Sequence, residues 1–364
     1  MRELSSESRL MFVLGPTEIE EDILEIGKKP QVYMRTADFS AKLEGIYKNL
    51  QYLFQTKYPV VFFASSGTGA MEAAVTNVLS RGDKVLYING GSFGHRWGDI
   101  CSKHGVEAKG LEVPFGDSIN PERIREELDK NSGIKAVFAT YDETSSGAKT
   151  DIKAIGEILK NYPDTIFVVD AVSALLTEEL KMDEWGIDVV ISSSQKALAL
   201  PPGLGFMAIN DRALEFAKNA DLRTFYFDIF DYIANWKRNQ TPFTPAVGLL
   251  FQLERRLEKI KQEGLDNIQK KYCDLTQYLR KGLAEVNFHP VAKNTVNCVT
   301  GIFTAPYDAS EIVRIMREKY NVEIAPSGGD MKTKLIRVGN FGAVGKEEID
   351  YFLKCLKATL EGMK

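Results

Sequence analysis

The sequence predicts an α/β protein built on a mainly parallel sheet, with a second and smaller α+β unit toward the C-terminus. Three observations lead there. Short apolar runs alternate with longer amphipathic segments through most of the chain. Those runs are rich in β-branched residues and apolar throughout, which suits central strands covered on both faces. The character of the chain then changes after Thr241, where Pro242 and Pro245 interrupt it and strongly charged helical sequence follows.

Taken in order, Val60 to Ala64 (VVFFA) reads as a buried strand, and SSGTGAMEAAVTNVL after it as a tight turn feeding a helix. Gly82-Asp83 marks a turn before the strand in KVLYI. Further strands are expected at Lys135 to Ala139, Ile166 to Val169, Ile187 to Ile191 and Gly205 to Ile209. Helical patterns lie between most of them, including Pro121 to Leu128 and Asp151 to Leu159, and strands separated by helices imply βαβ units. Beyond Thr241 the spacing of Leu249, Leu250, Leu253, Leu257 and Ile260 predicts one long helix from Val247 to Lys281. Two strand-like pieces follow, Asn297 to Phe303 and Lys334 to Val338. A helix begun near Asp308 or Ser310 lies between them, and another spans Lys346 to Gly362. This second unit has about 110 residues, within the ordinary domain range.

Composition narrows the function. Of 364 residues, 44% are hydrophobic and 26% charged, with 29 Gly and 13 Pro, which excludes collagen-like, disordered and disulfide-scaffold chains. The net charge of −4 argues against wrapping nucleic acid, which wants a concentrated basic face. Cys101, Cys273, Cys298 and Cys355 stand far apart without metal-ligand spacing, as in a protein with reduced thiols, and three histidines make a histidine-rich metal site a poor expectation. No apolar run of signal-peptide or bilayer-spanning length is visible, so the expected location is the cytoplasm, without a membrane partner.

The residues that could carry chemistry lie where strands end. Lys196 stands among small residues in SSSQKALALPPGLG; it reads either as an amine nucleophile with a depressed pKa or as an exposed loop lysine. Asp170 closes the strand IFVVD, where open α/β sheets bind ligands, or else caps the next segment. Together, an amine and an acid are what a pyridine cofactor needs: a Schiff-base partner and a proton-holding group at the ring nitrogen. Ser65 to Gly69 could bind a phosphate on helix amides or could be only a tight turn. Phe93 could stack on a ring or pack in the core. Arg337, a charge inside the apolar run KLIRVGN, could pair with a substrate carboxylate or with a structural acid.

In combination these segments resemble the class V aminotransferases of the fold-type I pyridoxal-phosphate enzymes, closest to the serine–pyruvate and alanine–glyoxylate branch. The resemblance runs from LGPTEI through LFQTKYPVVFFASSGTGAMEA, NGGSFGHRW and YDETSSG to VVDAVSAL and SSSQKALALPPG, and Asp170 and Lys196 stand at the family separation of 26 residues. It implies a large domain over residues 16–245 on a seven-stranded sheet. It also implies a small domain from residues 1–15 and 246–364 that includes the long connecting helix. By resemblance Lys196 would carry pyridoxal 5'-phosphate as a Schiff base and Asp170 would bond the ring nitrogen. Phe93 would stack on the ring, while Ser66, Gly67, Thr68 and Gln195 would hold the phosphate. Thr144, or Ser145 if the loop slips by one, would approach the ring hydroxyl. Thr241 and Arg238 would reach the phosphate of a partner subunit in a homodimer, and Arg337 would bind the substrate α-carboxylate. The implied reaction moves an amino group from an alanine- or serine-type donor to glyoxylate or pyruvate. An aspartate-type or aminophosphonate-type transaminase is the alternative, with Arg35 or Arg238 meeting a second anion. A cysteine desulfurase fits less well, because Gln195 precedes the lysine where that branch has histidine and because Cys298 and Cys355 fall in strand-like and helical settings. The chain departs from the pattern at Tyr141 and Asp142, where histidine and glycine are usual, and at Arg238, where tyrosine is common.

Overall fold

The computed structural model describes residues 9–363; the opening residues 1–8, part of the expected small domain, lie outside the described residues. In chain order the strands are β1 (Leu10–Phe12), β2 (Val60–Ala64), β3 (Lys84–Asn89), β4 (Glu107–Glu112), β5 (Ile134–Thr140), β6 (Asp142–Glu143) and β7 (Ala148–Lys149). They continue with β8 (Ile166–Asp170), β9 (Val189–Ser193), β10 (Leu204–Ile209), β11 (Val299–Phe303), β12 (Val322–Pro326) and β13 (Leu335–Gly339). The helices are α1 (Glu21–Ile26), α2 (Ala37–Phe54), α3 (Gly67–Val78), α4 (Ser92–Lys103), α5 (Glu122–Lys130) and α6 (Ile152–Leu159). The remainder are α7 (Asp211–Asn219), α8 (Ile229–Trp236), α9 (Val247–Glu263), α10 (Leu265–Ala284), α11 (Ala309–Tyr320) and α12 (Lys346–Gly362).

The larger sheet has seven strands in the order β2-β10-β9-β8-β5-β3-β4. Period-two alternation sends its apolar side chains to two separate cores. Val61, Phe63, Val85, Tyr87, Ile166, Val168, Met207 and Ile209 face one, and Val60, Phe62, Leu86, Ile88, Phe167, Val169, Phe206 and Ala208 face the other. Covering on both faces is why these strands read as unbroken apolar runs. β4 is the exception. Its sequence EAKGLE is half polar and only Leu111 in it is buried, so the apolar-run criterion passes over it.

The parallel expectation holds for β3, β4, β5, β8 and β9, but β10 runs antiparallel to both β9 and β2. The link from β9 to β10, residues 194–203, is too short for a parallel crossover, so the chain must turn back. That turn carries Lys196.

The smaller sheet has four strands, β1-β12-β13-β11, rather than the two the sequence suggested. β1 comes from the other end of the chain and pairs in parallel with β12, a long-range pairing that no local pattern announces. The expected single helix after Thr241 is two, α9 and α10, divided at Gly264 with φ +83°. A left-handed residue cannot continue a right-handed helix, and glycine takes that conformation without a Cβ clash. Asp308 caps α11 through the amides of Ser310 and Glu311, and α12 spans the expected residues.

Candidate active site

β2, β3, β5, β8 and β9 share one direction, so their carboxyl ends open on one rim of the sheet, where ligands of open α/β folds bind. Each end leads into a segment that carries a candidate: Ser66 to Thr68 after β2, Phe93 after β3, Thr144 after β5, Asp170 as the last residue of β8, and Lys196 after β9.

The loop of Lys196 is braced on several sides. Ser194 Oγ donates to the Pro201 carbonyl at 2.8 Å and accepts the Leu204 amide at 3.2 Å. From α9, buried Arg256 donates to the Leu198 carbonyl at 3.0 Å and the Ala197 carbonyl at 3.3 Å, and it is paired with Glu20 at 3.0 Å. Thr17 Oγ1 donates to the Lys196 carbonyl at 3.1 Å. Gly15, with φ +114°, passes so close that a Cβ there would stand 2.9 Å from the Gln195 carbonyl oxygen and 3.0 Å from Lys196 Cδ. The lysine is therefore only 8% exposed, and its Nζ donates to the Leu14 carbonyl. The exposed-loop alternative is excluded. Burial pushes the Lys196 pKa down, opposed first by Asp142 and then by Cys298 and Asp170.

Asp170 is buried, and its Oδ1 accepts the Val172 amide at 2.8 Å. Burial pushes its carboxyl up to about 6, against that hydrogen bond and the nearby charges of Lys196 and Arg96. Phe93 lies in the first turn of α4, with its ring centroid 6.0 Å from Lys196 Nζ.

Glu143 sets that aromatic in place. Gly91 at the N-cap of α4 has no side chain, and the buried Glu143 carboxylate caps the helix instead. It accepts from Phe93 N at 3.3 Å, Gly94 N at 2.8 Å, Ser145 N at 3.2 Å and Ser145 Oγ at 2.6 Å. A Cβ on Gly91 would sit 2.1 Å from Ser145 Oγ and 2.7 Å from Glu143 Cδ, so glycine is what admits the carboxylate. Ser145 is thereby committed to Glu143, whereas Thr144 shares a hydrogen bond of 2.9 Å with Ser173 Oγ.

Arg337 arrives from β13 in the smaller sheet. It donates from Nη2 to the Pro326 carbonyl at 2.7 Å and from Nη1 to the Thr144 carbonyl at 3.5 Å, and its Nε is sealed without a partner. Burial pushes its pKa down, opposed by Glu143. Arg238 and Thr241 are held locally. Arg238 bonds Asn235, and buried Thr241 donates to the Phe243 carbonyl at 2.8 Å. Arg35 is tied to that same segment through Gln240 Oε1 at 2.9 Å and the carbonyls of Thr241 and Pro242 at 2.6 and 3.2 Å. It thus serves as a brace for residues 240–242.

Residues 26–346 match the family model described as aminotransferase class-V. The chain belongs to the class-V aminotransferase family. This aminotransferase is similar to the small subunit of a soluble hydrogenase from Synechococcus sp., with 34% identity covering 96% of this chain and 92% of that one. It is equally similar, at 34% identity, to the L-aspartate–glyoxylate aminotransferase of Paracoccus denitrificans, with 92% and 86% covered. The crystal structure of an alanine–glyoxylate aminotransferase from Nostoc sp. superposes with a TM-score of 0.93 at 26% identity, covering 99% of this chain and 97% of that one.

The residues of this aminotransferase fit the family's cofactor, pyridoxal phosphate. A buried amine, a buried carboxyl and an aromatic ring lie together at the carboxyl ends of neighbouring strands. At the start of α3 the N-cap Ser66 makes no side-chain capping bond, leaving the first amides open to an anion. Beside them Ser193 Oγ is sealed from solvent without a hydrogen-bond partner, as is Gln195 Oε1 in the loop that follows β9. A phosphate is an acceptor suited to the amides and to the serine hydroxyl. Ser193, Glu143, Asp142 and Arg96 were not singled out from sequence as members of the site. The sequence places Ser193 in the polar loop after a strand ending at Ile191, whereas it is the last residue of β9, and Glu143 acts through a loop-to-helix contact 50 residues away in sequence. Among the described residues no cluster of His, Cys, Asp and Glu could hold a metal ion, and no helix is long and apolar enough to cross a membrane.

Proposed function

We propose that this class-V aminotransferase uses pyridoxal 5'-phosphate to move an amino group from a small donor of the alanine or serine type to a small 2-oxo acid, glyoxylate or pyruvate. The observation that carries the reading is the burial of the Lys196 amine beside Asp170 and Phe93. Glyoxylate as acceptor is supported by the names of two of the proteins it resembles. Those two differ in donor, so aspartate stays as the second reading for that half of the reaction.

When bound, the cofactor supplies an aldehyde that condenses with amines and a ring that takes up the electron pair of a broken Cα–H bond. Lys196 would hold it, and the same Nζ, once freed, would remove the substrate α-proton and keep it for return. Desolvation favours the neutral amine that this transfer requires. Asp170 receives the ring nitrogen; a carboxyl raised to about 6 by burial gains most from a cationic N–H partner. Phe93 supplies the stacking face. Ser66, Gly67, Thr68, Ser193 and Gln195 hold the phosphate, Thr144 approaches the ring hydroxyl, and Arg337 offers a fork of donors to the substrate carboxylate.

The division into a cofactor-binding unit over residues 16–245 and a substrate-facing unit over the remainder belongs to this proposal. So does a two-fold homodimer in which Thr241 and Arg238 serve the partner's phosphate. Exposed Phe225 (83%) and Tyr33 (69%) support such a contact, since Phe225 packs on Phe243 beside Thr241 and Tyr33 lies two residues before Arg35. A cytoplasmic setting is supported by four unpaired cysteines.

Borohydride reduction of the purified protein followed by peptide mapping tests the assignment. The label belongs on Lys196, and its appearance on a different lysine would overturn the reading. A panel of amino donors, followed through the loss of cofactor absorbance, then separates alanine, serine and aspartate.

A further inference from the structure

We infer that Arg96 is a positioning residue of the anion site, tying the Thr68 hydroxyl and the Phe93 ring together so that the phosphate cradle and the aromatic platform form one unit. The inference rests on the cofactor reading above and adds to it a residue outside the expected set.

Phe93 and Arg96 stand three residues apart on α4 and so share a helix face. The guanidinium carbon lies 4.8 Å from the Phe93 ring centroid, within the range of a cation–π contact. The same guanidinium reaches a different helix, where Nη1 donates to Thr68 Oγ1 at 3.0 Å. This second contact has a chemical consequence. A hydroxyl offers one proton and two lone pairs, and arginine can only donate. Arg96 therefore occupies a lone pair of Thr68 and leaves the hydroxyl proton for another acceptor. The charge-assisted bond also polarises the O–H and makes it a better donor to an oxyanion.

Thr68 is in the first turn of α3, a twelve-residue helix whose open amides carry the positive end of the helix dipole. A second observation marks this place for an anion. Ser193 Oγ, buried and without a partner, lies 3.4 Å from where a Cβ on Gly67 would be. Three kinds of donor thus surround the start of α3: amides, the Thr68 hydroxyl primed by Arg96, and the Ser193 hydroxyl. Arg96 also counts among the charges that hold the Asp170 carboxyl down against its burial, so its influence reaches the buried acid as well as the start of α3.

The test uses the cofactor-stripped chain with inorganic phosphate, and the whole chain with pyridoxal phosphate and with pyridoxal, which lacks the phosphate. Arg96→Ala should weaken binding of phosphate and of pyridoxal phosphate by about tenfold or more, the usual size of a hydrogen bond to a charged group. Pyridoxal should lose less. Arg96→Lys keeps a charge but loses the planar fork, and should fall between wild type and alanine. In a Thr68→Val background the Arg96→Ala effect on phosphate should shrink, because the two residues act through one hydroxyl. Equal affinity of wild type and both Arg96 variants for phosphate and for pyridoxal phosphate would overturn the inference. If the alanine variant fails to fold, the lysine variant decides alone by the same comparison. A wild-type chain that binds phosphate through Arg96 yet takes no pyridoxal phosphate would refute the cofactor reading while leaving the anion site standing.

Discussion

Cys298 Sγ donates to Asp142 Oδ2 across 3.1 Å, and both side chains are sealed from solvent. The other oxygen of Asp142 has no hydrogen-bond partner. This pair stands where the resembled family usually has glycine in place of Asp142. Among the charges that act on Lys196, Asp142 comes first. Burial pushes the Asp142 carboxyl up to about 7, opposed by the Cys298 thiol and by Lys196. Cys298 itself is pushed well above the ordinary thiol range, which makes it inert as a nucleophile. The position that sequence judged poor for a desulfurase cysteine is therefore also chemically unsuited to that role.

A pH dependence follows from Asp142. An unfolded aspartate titrates near 3.9, so between about 4 and 7 the folded chain holds a proton there that the unfolded chain has lost. Stability from this group is then fully present below the unfolded value and is lost as pH rises through 7. Asp142→Asn removes the titration, and its amide oxygen can still accept from Cys298. The cofactor-free variant should melt a few degrees above wild type at pH 8, with the gap closing toward pH 4. A gap that does not change with pH would show that Asp142 is not held protonated in the folded chain.

Glu143 supports Phe93 rather than the chemistry. Its carboxylate receives four donors, two of them amides of the first turn of α4. Glu143→Gln keeps the volume but can turn an NH2 group toward those donors, which should cost about 1–3 kcal/mol of stability. Denaturant titration should show a lower midpoint with an unchanged slope, and cofactor affinity should fall with it. An unchanged midpoint would mean that α4 is capped by other means.

Much of this site was legible because it follows strand ends. Asp170 closes an apolar run, Lys196 follows the next, and SSGTG sits at a strand-to-helix turn, so pattern alone locates each. The break at Gly264 was harder to see, since the apolar spacing on either side suits one continuous helix and a single glycine does not by itself end one. β12 and β1 were missed for a different reason. They pair with each other across more than 300 residues of sequence, and the three residues of β1 are too few to form a pattern. Arg96 and Glu143 act on groups brought near only by the fold. Their roles depend on tertiary distance, which residue spacing does not contain.

Arg337 gives a prediction on substrate recognition. It crosses from the smaller sheet to the Thr144 carbonyl, and its Nε lacks a partner in a site where burial already weighs against the charge. A substrate carboxylate would supply the missing acceptor. Arg337→Lys should therefore lower the rate with every amino donor by about tenfold or more, since the bidentate fork is lost. Cofactor absorbance should remain normal. If all donors react at wild-type rates, the carboxylate is bound elsewhere.

The proposed composite site makes a prediction about assembly. Arg35 clamps the segment of Thr241 through three hydrogen bonds, and the aromatic surface of Phe225, Tyr226 and Phe243 adjoins it. A segment braced this firmly can present residues to a second copy without first becoming ordered, which lowers the entropic cost of association. In a two-fold dimer one interface then completes two pockets. A Lys196→Ala chain lacks its own amine, while a chain carrying both Arg238→Ala and Thr241→Ala lacks what it would lend to its partner. Each homodimer should be inactive, or nearly so, for a different reason. Subunit exchange between them should restore activity, because one pocket of the mixed dimer combines a native Lys196 with native Arg238 and Thr241 from the other chain. At equal mixing about half the dimers are mixed and each has one complete site, so recovery should approach about a quarter of the wild-type rate. Mixed dimers that form, as shown by mass, yet stay inactive would count against the shared site.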